Sequence, residues 1–295
     1  MTRMERQEQT QSAENDLKRQ GDIRMKRLIA IILSLCLLAG FAAAENAPAA
    51  QETAEMTAEE LYRTGFNALK AGEYEKAKAL FEQGAEKGNA RCLNELGFLY
   101  EHGLGVGQSW EKAAEYYRQA ADRGDKHGQY NLGLVCINGR GVEANPEKAL
   151  EYFQLAADQG LPEAMHILGV MYMNGTVVEQ SYEKAVEYIR PAAESGYAVA
   201  QYALGYMYFN GLGVEQSAEK TVEYYQQAAD QGYADALIDL GIMYMEGVGV
   251  ERSWEKAGEY YRKAYETGDP TALAFLDQLV KDGILTKDYK LIPAK

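Results

Sequence analysis

Histidine, cysteine and proline are scarce in this chain of 295 residues, with three, three and six copies. Each shortage removes a class of function. His102, His127 and His166 show no H-x-x-x-H or H-E-x-x-H spacing, and Cys36, Cys92 and Cys136 form no C-x-x-C pair, so no metal motif is present. No glycine-rich phosphate loop follows a strand pattern either. Without a convergent acid, base, nucleophile or metal set, the sequence reads as non-enzymatic, with no cofactor. Carboxylates are plentiful, yet no pair is set apart by its surroundings. Basic residues are also in deficit, 30 Lys and Arg against 44 Asp and Glu, for a net charge of −14. Phosphate-backbone binding needs clustered cations, so nucleic acid is excluded as a partner. A basic partner or plain solubility suits an acidic surface better.

Long apolar runs are absent with one exception. Met25-Lys26-Arg27 leads into LIAIILSLCLLAGFAAA, residues 28–44, with Ala42 and Ala44 before Glu45. A basic start, an apolar centre and an A-x-A ending describe a secretory signal peptide over 25–44. The polar residues 1–24 make an odd beginning for one, and Met25 is read as the true start, with 1–24 a non-native extension. The run is also just long enough for an uncleaved membrane anchor, and a membrane is expected only through residues 28–44. A lipoprotein fits poorly, because Cys36 follows Leu35 within the run. Either way the rest of the chain is expected outside the cytoplasm, in the periplasm or secreted. Loss of 1–44 removes seven basic and five acidic groups, leaving 23 against 39 and a net charge of −16. Residues 45–57, rich in Ala, Glu and Pro, read as a linker.

The remainder is organised by repetition. A 36-residue pattern begins at Ala90, Lys126, Pro162, Ala198 and Ala234 and ends at Asp269 without a gap. Apolar and small residues fall at helical spacing in two blocks per copy, as at Ala200, Leu204 and Met207, then Val222, Tyr225 and Ala229. Between the blocks, Asn210-Gly211-Leu212-Gly213-Val214 supplies glycines able to close a helix in the left-handed conformation. Ser109, Asn145, Ser181, Ser217 and Ser253 are N-caps for the second helix, and a glutamate two residues on lies at the favourable end of its dipole. The Glu-Lys pairs here read as helix-start electrostatics. Glycines 124, 160, 196, 232 and 268 end that helix. A further series, Gly97, Gly133, Gly169, Gly205 and Gly241, sits inside the first helix, where glycine costs about 1 kcal/mol relative to alanine. Its recurrence predicts close helix–helix approach. Three departures stand out: Val177 replaces a loop glycine, Cys136 a first-helix tyrosine, and Pro191 lies inside a second helix, where it should kink or loosen it.

These motifs resemble the Sel-one-like repeat, a relative of the tetratricopeptide repeat. The resemblance rests on Leu204-Gly205, Tyr208, residues 210–214, Glu219-Lys220, Tyr224-Tyr225, Ala228-Ala229 and Gly232, with their counterparts in the other copies. It implies an all-α fold, a right-handed α-solenoid of stacked helix-turn-helix repeats whose first helices line the concave side. Residues 58–89 form a shorter tetratricopeptide-like hairpin at the N-terminal end, keeping Gly65, Ala77 and Phe81. Residues 270–295 supply a cap helix, with Asp277 at the mid-helix glycine position, and a tail that packs or frays. Disulfide-rich secreted relatives carry a cysteine pair per repeat. Here Cys92 and Cys136 occupy different repeat positions and read as separate buried thiols.

The implied function is a scaffold or adaptor holding a protein or peptide. Positions five, nine and twelve of each copy share one face of the first helix. They are Asn94, Phe98 and Glu101; Tyr130, Leu134 and Ile137; His166, Val170 and Met173; Tyr202, Tyr206 and Phe209; and Ile238, Ile242 and Met245. If exposed, this stripe is a groove with Tyr202, Tyr206 and Phe209 at its centre; otherwise position nine, and position five with it, packs against the neighbouring repeat. Two other functions stay open, a binding or hydrolytic protein for cell-wall fragments or β-lactams and a membrane-tethered spacer. Asn174-Gly175-Thr176 matches a glycosylation sequon but reads first as the turn that ends a helix.

Overall fold

The computed structural model describes residues 56–287, 289 and 290. The extension 1–24, the signal or anchor segment 25–44 and all of the linker except Met56 and Thr57 lie outside the described residues. The chain divides into two compact units, 1–89 and 90–295. Among the described residues there are thirteen α-helices and no strand.

In the first unit, α1 (Ala58–Lys70) and α2 (Tyr74–Glu86) form a hairpin. Thr57 starts α1 with a reciprocal capping box, its hydroxyl accepting from the Glu60 amide while the Glu60 carboxylate accepts from the Thr57 amide. Gly65 faces Phe81 so closely that a Cβ would lie 2.7 Å from the ring.

The second unit contains α3 (Ala90–His102), α4 (Trp110–Asp122), α5 (Lys126–Asn138), α6 (Pro146–Asp158), α7 (Pro162–Asn174), α8 (Tyr182–Glu194), α9 (Ala198–Asn210), α10 (Ala218–Asp230), α11 (Ala234–Glu246), α12 (Trp254–Glu266) and α13 (Thr271–Lys281). Within this unit each helix packs on its neighbours in sequence, and the first helices α3 and α5, like α7 and α9, also touch directly. This is an α-solenoid. The caps fall where the side chains dictate. Ser109, Asn145, Ser181, Ser217 and Ser253 each accept from the amide three residues on, at 2.8–3.2 Å. Each also donates its own amide back to the preceding first helix, Ser217 to the Tyr208 carbonyl at 3.0 Å for example, which folds the loop onto that helix.

The mid-helix glycines are seats for the second helix. A Cβ on Gly97, Gly133, Gly169, Gly205 or Gly241 would lie 2.3–2.7 Å from Tyr117, Phe153, Ile189, Tyr225 or Tyr261. The propensity lost at each glycine is offset by burying a large side chain directly against backbone. In α13 the equivalent Asp277 is exposed and accepts from the Tyr289 hydroxyl at 2.9 Å. The tail begins by packing, with Leu285 buried against Tyr261 and Leu279.

Two departures resolve differently. Pro191 does not interrupt α8, which runs as one helix from Tyr182 to Glu194. It forfeits one ladder bond, while its carbonyl still accepts from the Ser195 amide at 3.0 Å. Val177, by contrast, is held at φ +69°, the conformation that glycine supplies at 141, 213 and 249. A β-branched residue there is strained by about 1–2 kcal/mol. Val177→Gly is therefore expected to raise stability by about 1 kcal/mol after the flexibility gained by the unfolded chain is subtracted; a lower melting temperature would refute the strain.

A lysine motif has a use that helix-start electrostatics does not capture. Lys112, Lys184, Lys220 and Lys256 lie 4.7–5.2 Å over the rings of Tyr100, Tyr172, Tyr208 and Tyr244. Those rings stack in turn on Tyr116, Tyr188, Tyr224 and Tyr260 at 5.5–5.6 Å. The lysines are exposed over buried or half-buried rings, and each cation–π contact contributes about 0.5–1 kcal/mol. Cys136 interrupts the series in the second copy.

Candidate interaction face

The first-helix face is partitioned by depth. Position five joins neighbouring repeats. Asn94 is buried and its side-chain carbonyl accepts from the Asn131 amide at 2.8 Å. Tyr202 stacks on Tyr225 at 5.0 Å, meets the tilted ring of Tyr233 at 5.2 Å and donates to Asp239 Oδ2 at 2.9 Å. Both polar contacts run from position five of one copy to position six of the next. Tyr130 is half-buried against Phe153, and burial pushes its hydroxyl up to about 12. His166 meets the edge of Tyr197 at 5.9 Å, and burial pulls its imidazole down to about 4. Ile238 packs between two core clusters.

Positions nine and twelve lie shallower. Leu134 and Ile137 pack at the margin of one core cluster, Met173 at another, and Ile242 and Met245 at the last. Val170 is half-buried. Phe98 covers His102 at 4.2 Å, and the Glu101 carboxylate accepts from the Tyr117 hydroxyl at 2.6 Å. Two side chains break the pattern: Tyr206 is 43% exposed and Phe209 42%. Every other residue of the stripe is buried or half-buried. These two stand one turn apart on α9, so the exposed apolar side chains of this stripe both lie in the fourth copy.

The stripe omits the acids of position six. Asp239 sits beneath Tyr202 and accepts from Tyr225 as well, and burial holds its carboxyl above the usual range. Glu95 holds the same position in the first copy. The hydroxyls of Tyr117 and Tyr225 reach this face from the second helices, after their rings pass under Gly97 and Gly205. The recurrent mid-helix glycine, paired with the Tyr-Tyr of the second helix, is the sequence signal for them. Among the described residues no group of His, Cys, Asp and Glu is placed to hold a metal, and no helix is long and apolar enough to cross a membrane. Cys92 and Cys136 are both buried, and no disulfide joins them.

A stack of helical hairpins whose chemistry lies in an aromatic and acidic face defines a helical-repeat scaffold of the kind that typically binds proteins. The chain belongs to the Sel1 repeat family: the family model matches 53–89, 90–125, 126–161, 162–197, 198–233 and 234–269, so the N-terminal hairpin counts as a sixth repeat. A Sel1 repeat protein from Oxalobacter formigenes is 30% identical, with 76% of this chain and 89% of that one covered at a TM-score of 0.69. A protective antigen present in uropathogenic Escherichia coli strains, displaying an SLR fold, is 29% identical at a TM-score of 0.69; the alignment covers 79% of this chain and 51% of that protein. An immunity protein from Pseudomonas aeruginosa shares the fold at 23% identity and a TM-score of 0.50. Comparison with curated proteins yields no match.

Proposed function

We propose that this protein is a non-catalytic adaptor outside the cytoplasm that holds a protein or peptide on its first-helix face, centred on the fourth copy. The observation that carries the reading is the exposure of Tyr206 and Phe209 on a face whose other residues pack inward. Aromatic side chains offer large contact area at low entropic cost and dominate binding energy where they cluster. The location rests on the sequence of 25–44. Intact-mass measurement of the protein from its native host should find a chain beginning at Glu45; a chain retaining 28–44 would favour a tethered form.

The binding claim is tested with residues 45–295 and the Tyr206→Ala/Phe209→Ala variant as baits against the envelope fraction. Both side chains are exposed and belong to no core cluster, so the variant should melt within a few degrees of the parent. A partner retained by the parent and lost by the variant is the expected result. Equal retention by both would overturn the assignment of this face.

A further inference from the structure

Two cations without a carboxylate converge on one tyrosine where α8, α9 and α10 meet. Arg190 on α8 donates from Nη1 to the Tyr208 hydroxyl oxygen at 3.1 Å, and Lys220 on α10 donates from Nζ to the same oxygen at 3.5 Å. Their charged groups also lie over the Tyr208 ring, at 5.9 and 4.7 Å. Among the described residues neither cation forms an ion pair, although Glu194 stands one turn further along α8 from Arg190. A tyrosine hydroxyl offers two lone pairs and one proton. With both cations on the oxygen the proton needs an acceptor, and none is found among the described residues. Like charges held so close repel each other unless an anion joins them. Acids outnumber cations by 44 to 30 in this chain, yet none closes the pair.

The register of the repeats confines this cluster to one place. At the junction of the first and second copies Arg118 is followed by Cys136 in place of the tyrosine, while Tyr172 and Tyr244 are preceded by Gln154 and Gln226 in place of the arginine. Those glutamines are already engaged, accepting from the Tyr188 and Tyr260 hydroxyls. Among the junctions of the five copies only that of the third and fourth has all three residues. Lys220 is exposed and Arg190 half-buried, whereas Tyr208 is buried. The phenol therefore sets the spacing, and contact with a ligand falls to the two cations.

We propose that Arg190 and Lys220, held apart by Tyr208, bind a phosphate-type oxyanion at the junction of the third and fourth copies. A phosphate carries close to two negative charges and several acceptor oxygens, enough to take a hydrogen bond from a guanidinium and an ammonium at once. The site does not depend on the peptide face, since it lies between second helices.

The test is calorimetric titration of residues 45–295, which contain every described helix, with inorganic phosphate at pH 8. Sodium chloride at matched ionic strength is the blank for screening. Arg190→Gln, Lys220→Gln and Lys184→Gln are compared with the parent, each with its melting curve. Glutamine already occupies the arginine's place in the second and fourth copies, so Arg190→Gln should fold, and Lys184→Gln loses a cation–π contact like that of Lys220 without touching the site. The expected result is one phosphate per chain, weakened roughly tenfold by Arg190→Gln and by Lys220→Gln and unchanged by Lys184→Gln. Glycerol phosphate titrated in parallel identifies the source: tighter binding than inorganic phosphate points to an ester headgroup, weaker binding to the free ion. Heats no greater than with chloride, phosphate binding that survives either site substitution, or an equal loss with Lys184→Gln would overturn the proposal.

Discussion

Tyr225→Ala is expected to destabilise the repeat array by about 3–5 kcal/mol, the range for removing a buried aromatic side chain. Tyr225 is 3% exposed. Its ring is pressed against Gly205, stacked on Tyr202, and fixed at its far end by Asp239. Truncation opens a cavity between α9 and α10 and leaves Asp239 with one hydroxyl fewer. Tyr225→Phe keeps the packing and should cost only about 1 kcal/mol, the scale of a single hydrogen bond. Gly205→Ala tests the other half of the seat. By helix propensity alone it should stabilise α9 by about 1 kcal/mol. A Cβ there would stand 2.6 Å from the Tyr225 ring, which Tyr202 prevents from retreating, so a net loss is expected, since overpacking typically costs about 1–3 kcal/mol. Urea titration read by circular dichroism supplies the totals. Because repeats couple mainly to their neighbours, amide exchange should place the losses in residues 198–269. A stabilised Gly205→Ala would show that the seat is looser than its geometry.

Much of this architecture is legible in the sequence because it is periodic. The five copies, both glycine-closed helix ends, the Ser and Asn caps and the close approach at Gly205 and its counterparts all follow from residues that recur at one position. What escapes is decided by contacts between copies. Asp239 and Glu95 share a position with Asn131, Ile167 and Ala203, so no periodic signal marks them, and an isolated acid on a helix reads as solvated surface. Their depth depends on which tyrosine the neighbouring hairpin brings across. The lysine over the first-helix tyrosine is periodic as well, but Glu-Lys at a helix start is electrostatically sufficient in itself and does not point to the ring. Within the stripe, sequence spacing sets the face but not the depth. Tyr202 and Tyr206 differ by one turn, yet the first is bonded into the next repeat and the second is exposed.

The Glu95→Gln substitution should raise stability at pH 8 by up to about 3 kcal/mol and change the shape of the pH profile. Burial, with Asp125 adding to it and a hydrogen bond from Asn94 opposing it, pushes the Glu95 carboxyl from 4.5 to about 7. That displacement corresponds to about 3 kcal/mol. Between those two values the folded chain holds a proton that the unfolded chain has released, so this group's contribution is greatest below pH 4.5 and is lost as the pH rises through 7. His166 runs the other way. Burial lowers its imidazole from 6.5 to about 4, so its stabilisation is present above pH 6.5 and lost as the pH falls through 4, by a similar amount. Over pH 4.5 to 6.5 the two slopes offset in the parent. Glutamine mimics the neutral acid, so the Glu95→Gln variant keeps only the histidine's slope and should lose stability steadily on acidification from pH 6.5. His166→Gln should do the opposite, gaining relative to the parent at pH 4 and leaving the glutamate's loss exposed toward pH 8. Urea midpoints for the three proteins at pH 4, 5, 6, 7 and 8 decide the matter. Parallel profiles would mean that neither group is held away from water as its surroundings imply, whereas opposite tilts would show a balance struck between the first copy and the third, set by two side chains that the repeat pattern does not require.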